Sequence, residues 1–216
     1  MSTYRMVGSQ VVRRMQVSRD TREVFLDEAE KLFAERGFYG VSIAAIADQL
    51  GLTKQALLHH FGTKEKLYGA VLQRISDDHS ARLAAAMDDT LDPEQAFRDY
   101  FKTVYQESRA NLPRGLILMR ELLDNKRRAD SAGTWYLKSY LENLTELAAR
   151  VPGLSELTFS RRFTLVYQLL GAINYFLFSE PTLRGIFGED QIEAFEADFP
   201  SQLDALIESA IRTVHQ

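Results

Sequence analysis

Thr53, Lys54, Gln55, Leu58 and His59 crowd into the stretch SIAAIADQLGLTKQALLHHF, residues 42–61. Their types suit one chemistry, contact with a nucleic-acid duplex. Threonine, lysine and histidine can meet phosphate oxygens. Glutamine can bond an adenine edge in bidentate fashion, and leucine can pack on a thymine methyl. Lys54 and Lys64 each follow a threonine that can cap a helix, so both stand in a first helical turn. The helix dipole disfavours a cation there by roughly 0.3–1 kcal/mol. Two helices accepting that cost suggest that phosphates supply the missing negative charge. With Ser42, the candidate DNA-contacting set is Ser42, Thr53, Lys54, Gln55, Leu58, His59 and Lys64.

Other chemistries find little support. The chain has no glycine-rich phosphate loop, no GxSxG elbow and no HExxH. Of its four histidines, His59 and His60 are adjacent, so on a helix their rings diverge and make a poor metal site. His60 is expected to pack and His59 to face phosphate. No catalytic set, metal or cofactor is expected, and the chain is not read as an enzyme.

Two short helices joined by a glycine turn must position these residues, the spacing of a helix-turn-helix. Ser42 can cap the first, with Val41 and Ile46 as a hydrophobic staple around the cap. Gly51 can take the positive φ that ends it sharply. Leu52, Thr53 and Leu57 repeat the device for the second helix. Ile46, Leu50, Leu57 and Phe61 then face a shared core and leave the polar set outside. The competing reading is a pair of ordinary core helices, since caps and staples occur in every helical protein. Upstream, Asp20 and Glu23 have capping-box spacing, Phe25, Ala29, Leu32 and Phe33 form an apolar stripe, and Gly37 closes that helix.

On these residues the chain resembles the TetR family of transcriptional regulators. The resemblance covers residues 21–72, from TREVFLDEAEKLFAERGFYG through KEKLYGAVL, about a quarter of the chain and without an insertion. It implies a homodimer with a three-helix DNA-binding head and an all-helical ligand-binding body. It further implies a repressor released from a pseudo-palindromic operator by a small molecule. One position departs from the family, which usually carries an aromatic, commonly tyrosine, where this chain has Leu58. That tyrosine normally touches the DNA backbone. Leu58 cannot donate a hydrogen bond, so backbone contact falls to His59, Lys54 and Thr53.

The bulk numbers fit this reading. A chain of 216 residues can bury a good core, and 45% hydrophobic with 26% charged residues is ordinary for a globular protein. The absence of cysteine excludes disulfides and thiolate metal sites and fits a reducing cytoplasm. The net charge of −4 divides unevenly, with 10 Lys+Arg against 8 Asp+Glu in residues 1–66 and 16 against 22 in residues 67–216. The basic side lies with the helix-turn-helix, and an acidic body helps orient the encounter with DNA. No signal peptide is read at the start, and the apolar stretch Phe163–Phe178 is shorter than the ~20 residues of a spanning helix.

The expected fold class is all-α: a flexible basic arm over residues 1–19, a DNA-binding domain over 20–66, and a ligand-binding and dimerisation body over 67–216. The arm carries Arg5, Arg13, Arg14 and Arg19 and either enters a minor groove or is an unstructured leader. A fourth helix is expected from Thr63 to about His79 or beyond. Further helices are expected near Pro93–Arg109, Pro113–Ala129, Thr134–Arg150, Ser160–Ser179 and Phe199–Val214. VPGLSEL and EPTLRGIFGED are expected to be loops. The last two helices either fill the monomer's core or, as the resemblance implies, pack against a second copy. The candidate dimer residues are Leu169, Ile173, Phe176, Leu203, Leu206 and Ala210. Clustered aromatics are either core or the lining of a pocket for a small, largely apolar molecule. The pocket candidates are Phe101, Tyr105, Met119, Arg120, Trp135, Tyr136, Tyr140, Tyr167 and Asn174. A DNA-binding protein without a ligand is the alternative.

Overall fold

The computed structural model describes residues 21–123 and 136–213. Among these residues there are nine helices and no strand. The basic arm, Asp20, Trp135 and Val214 lie outside them. The helices are α1 (Thr21–Arg36), α2 (Ile43–Gln49), α3 (Lys54–Phe61), α4 (Lys64–Ala86), α5 (Pro93–Ala110), α6 (Leu112–Leu123), α7 (Lys138–Ala149), α8 (Phe159–Phe187) and α9 (Glu189–Thr213). No helix among the described residues is long and apolar enough to cross a membrane. The chain divides into two compact units at Val71/Leu72, inside α4.

The first unit is held by Phe25, Leu26, Ala29, Leu32 and Phe33 of α1, Ile46 and Ala47 of α2, Leu57 and Phe61 of α3, and Leu67 and Tyr68 of α4, all buried. Rings lock the helices together: Phe33 meets Tyr68 edge to face at 4.9 Å, and Phe25 meets Phe61 at 6.5 Å. Helices of 7 and 8 residues, such as α2 and α3, have too few internal bonds to hold alone. Caps and this shared core hold them instead.

In the second unit, Phe97, Phe101 and Val104 of α5, Leu144 and Leu147 of α7, Val166, Leu169 and Ile173 of α8, and Leu203 and Ile207 of α9 form one apolar core. Asp92 caps α5 by accepting from the Gln95 N–H at 2.8 Å, with Pro93 at the position where a missing N–H is harmless. Arg98 ties α5 to α9, bonding Glu94 at 2.8 Å and Asp204 at 3.4 Å.

Two expectations fail here. EPTLRGIFGED is not a loop, because α8 continues to Phe187 and ends only at Gly188, φ 83°. α9 begins at Glu189, well before Phe199, with Glu189 and Asp190 favourably placed in its first turn. Pro181 and Pro200 therefore sit inside helices, both exposed. Each removes one backbone bond, and the apolar side chains on either side, Leu177 before Pro181 and Ile192 and Leu203 around Pro200, are buried deeply enough to hold the helices through them.

Candidate nucleic-acid interface and ligand cavity

The DNA-contacting candidates all belong to the first unit. Ser42 caps α2, its Oγ accepting from the Ala45 N–H at 3.0 Å, and Thr53 caps α3, accepting from the Ala56 N–H at 3.1 Å. Gly51 between them has φ 64°, a value that side-chain-bearing residues rarely adopt. The turn therefore ends α2 and starts α3 within four residues. Buried Leu57 and Phe61 fix the rotation of α3. Thr53, Lys54, Gln55 and His59 are left exposed and Leu58 half-buried. Leu50, expected in the core, is half-buried.

Two side chains differ from expectation. Lys64 is half-buried, and its ammonium lies 4.3 Å from the centre of the Phe38 ring. That cation–π contact is the local source of negative charge for a lysine at a helix start. Lys54, exposed, is the clearer phosphate candidate. His60 is exposed rather than packed, although its ring stands 5.7 Å from that of Phe25. Tyr39, which the sequence pattern did not single out, is 57% exposed beside Phe38.

The second unit encloses a cavity of about 1010 Å³ between α4, α5, α6, α7 and α8. Met119, Tyr140, Tyr167 and Asn174 line it, as expected. Phe101 does not, being wholly buried in the core. Tyr105 is core as well, stacked on Phe199 at 4.9 Å, and burial pushes its phenol up. Arg120 is exposed and outside the lining. Tyr136 is also outside it, and its carbonyl accepts from the Ser76 hydroxyl at 2.7 Å. Trp135 lies outside the described residues.

Sequence reading missed the polar end of the cavity: His79 and Arg82 of α4, Glu107 of α5, Asn111, and Arg114 of α6. Arg82 Nε forms an ion pair with Glu107 at 2.6 Å, and Arg82 Nη2 lies 3.3 Å from His79 Nδ1. Arg114 pairs with Asp78. Burial, helped by Arg82 and Arg114 and opposed by Asp78, lowers the His79 imidazole to about 4, so the ring is neutral near pH 7. Tyr140, its ring 5.1 Å away, accepts from the Tyr100 hydroxyl at 3.0 Å and is pushed up to about 12 by burial. A signal was present in the sequence. His79 falls in the stripe Leu72, Ile75, His79, Leu83, so an inward-facing α4 had to carry it inward. Much of the remaining lining is apolar, with Leu118, Met119, Leu122, Leu170 and Phe178, and Tyr167, Asn174, Tyr175 and Ser179 of α8 join it. Gly115 allows this wall to close up, because a Cβ there would lie 2.6 Å from Phe178 Cζ.

Three of the six dimer candidates are taken up within the chain. Leu169, Ile173 and Leu203 are buried in its own core, so they are not available to a second copy. Phe176 is half-buried and stacked on Phe199 at 4.2 Å. Ala210 is half-buried, and Leu206 is 47% exposed. The most regular apolar stripe of each long helix serves the monomer, and the weaker face carries the exposed Tyr175, Ile186 and Leu206.

Comparison with known proteins agrees with this architecture. Residues 25–71 match the family model described as bacterial regulatory proteins, tetR family. The HTH-type transcriptional regulator RutR of Escherichia coli O157:H7 is 30% identical over 128 residues, 59% of this chain and 60% of the relative. The HTH-type transcriptional regulator TtgR of Pseudomonas putida is 32% identical over 99 residues, 45% of this chain and 47% of the relative. The chain thus spans about half to three fifths of the length of these curated relatives. A TetR-like transcriptional regulator from Rhodococcus sp. RHA1 superposes with a TM-score of 0.64 at 22% identity, covering 90% of this chain and 97% of that one. Residues 25–71 are thus similar to the DNA-binding domain of the tetR family of bacterial regulatory proteins, and the chain shares the all-helical fold of the Rhodococcus regulator.

Proposed function

We propose that this protein is a cytoplasmic DNA-binding transcriptional regulator, a homodimeric repressor that a small molecule releases from a pseudo-palindromic operator. The observation carrying the DNA-binding part is α3, a capped helix rigidly seated by Leu57 and Phe61 that holds Lys54, Gln55 and His59 outward. The curated relatives RutR and TtgR are themselves transcriptional regulators of the helix-turn-helix type, which supports the same reading. Two heads suit two half-sites, and exposed Leu206, Tyr175 and Ile186 supply apolar surface for a second copy. The cavity of about 1010 Å³ supports ligand control, because its size and mixed lining are those of small-molecule sites. An effector acts on DNA affinity only through its different affinity for the bound and released states.

Mobility-shift assays on genomic fragments, run across a salt series, test the central claim. One short pseudo-palindromic site should stand out at moderate salt. Lys54→Ala should weaken binding to all sequences and flatten the logarithmic salt slope by about 1. No preferred site at any salt would overturn the proposal. If the site is found but no cavity ligand alters affinity for it, the protein is a DNA-binding regulator without a small-molecule effector.

A further inference from the structure

We propose that the cavity takes an amphipathic organic carboxylate, its acidic head at Arg82, His79 and Arg114 and its apolar body along Leu118, Leu122 and Phe178. This deepens the effector reading and rests on it. It departs from the expectation of a largely apolar ligand, because the cavity is chemically two-ended.

The head site follows from donor geometry. A guanidinium carries five N–H donors in one plane. Arg82 pairs with Glu107 through Nε and meets His79 at Nη2, and its Nη1 makes no hydrogen bond to the described residues. A carboxylate arriving at Nη1 gains a charge-assisted bond without breaking the existing pair. Among the described lining residues Glu107 is the one carboxylate, and Arg82 already engages it. A cationic head would have to compete with that arginine and lie close to two guanidiniums.

The His79 ring lies inside the site and reports the local potential. Arg82 and Arg114 disfavour its proton and Asp78 favours it, while Glu107 offsets Arg82, so the formal charges of the site cancel and selection rests on the guanidinium donors. A carboxylate can accept from Arg82 Nη1, whereas an ammonium has no acceptor there that an arginine does not already engage. Leu118, Leu122 and Phe178 themselves offer no polar partner, so a wholly polar ligand would be desolvated against them without compensation. A bare hydrocarbon would strip water from the guanidiniums and return no bond. The volume stands at the upper end of small-molecule sites, which suits a long chain or a fused ring system behind the head.

The test is calorimetric titration of the full chain, without DNA, with decanoate, decanol and decylamine. Decanoate should bind about ten-fold or more tightly than either other compound. Arg82→Gln should bring decanoate down to the affinity of decanol while leaving decanol within about two-fold of the wild-type value. If Arg82→Gln does not fold, Arg114→Gln should reduce the same preference. Failure of all three compounds to bind, equal or tighter binding of decanol or decylamine, or a preference untouched by the arginine variant would each overturn the proposal. Because DNA is absent, the ligand-release reading fails separately: decanoate would bind with the stated preference and leave operator affinity unchanged.

Discussion

His79 makes stability depend on pH between its ordinary value of 6.5 and about 4. Its imidazole is held neutral down to about pH 4, against 6.5 for the free side chain, by burial first and then by Arg82 and Arg114. The charged and titratable groups around it are Asp78 and Arg82 on α4, Glu107 on α5, Arg114 on α6 and Tyr140 on α7. Below pH 6.5 the unfolded chain takes up a proton that the folded chain refuses. Stability is therefore unaffected by this group above 6.5 and is lost as pH falls toward 4. At 1.36 kcal/mol per tenfold, the full loss is about 3 kcal/mol, and water entering the cavity reduces it toward ~2 kcal/mol. His79→Gln removes the titration and keeps an acceptor for Arg82. Urea unfolding of wild type and variant at pH 7, 6, 5 and 4.5 isolates the effect, because every other acid-sensitive group is common to both. The stability difference should shift in the variant's favour by about 2 kcal/mol between pH 7 and 4.5. Parallel stability curves would refute the assignment of a buried neutral His79.

Three further outcomes follow from the same geometry. Gln55→Ala should relax base preference at one position per half-site, costing about 1–3 kcal/mol on the preferred base; a binding-site selection returning an unchanged preference would exclude Gln55 as a reader. Leu206→Glu should give monomers in sedimentation, because an unpaired charge placed in an apolar contact is costly, and a wild-type chain that sediments as a monomer at micromolar concentration would contradict the dimer. Gly115→Ala would set a methyl group 2.6 Å from Phe178 Cζ, so it should lower stability by about 1–3 kcal/mol and narrow the cavity; a variant as stable as wild type with unchanged ligand affinity would show that the ring moves freely.

Local signals were legible in the sequence, and signals that depend on which neighbour a helix meets were not. The cap at Ser42, the glycine turn at Gly51 and the cap at Thr53 each act within three or four residues, and each appears where the pattern put it. The α5 start at Asp92–Pro93 was readable for the same reason. Pro181 and Pro200 misled, because a proline's local cost says nothing of the burial of Leu177, Ile192 and Leu203 that carries a helix through it. Tyr140 and Asn174 reached the cavity while Phe101 and Tyr105 did not. Aromatic character alone cannot separate a wall from a core, since both reward the same side chain. The charged end of the cavity was overlooked because Arg82, Glu107 and Arg114 resemble an ordinary solvated helix face until α4, α5 and α6 are brought together. Leu169, Ile173 and Leu203 were assigned to a dimer for the converse reason: the strongest stripe on a helix goes to the first core that can use it.

The seating of α3 by two residues, Leu57 and Phe61, has an evolutionary consequence. Lys54, Gln55 and His59, proposed to meet the duplex, take almost no share in holding the helix, and buried Leu57 and Phe61 stand on its other face. Substitutions at Lys54, Gln55 or His59 can then redirect which operator is read at nearly constant stability, so new specificities are reachable one residue at a time. Changes at Leu57 or Phe61 remove the reading surface altogether. Gene duplicates of such a protein can part company in their targets long before their heads part company in structure.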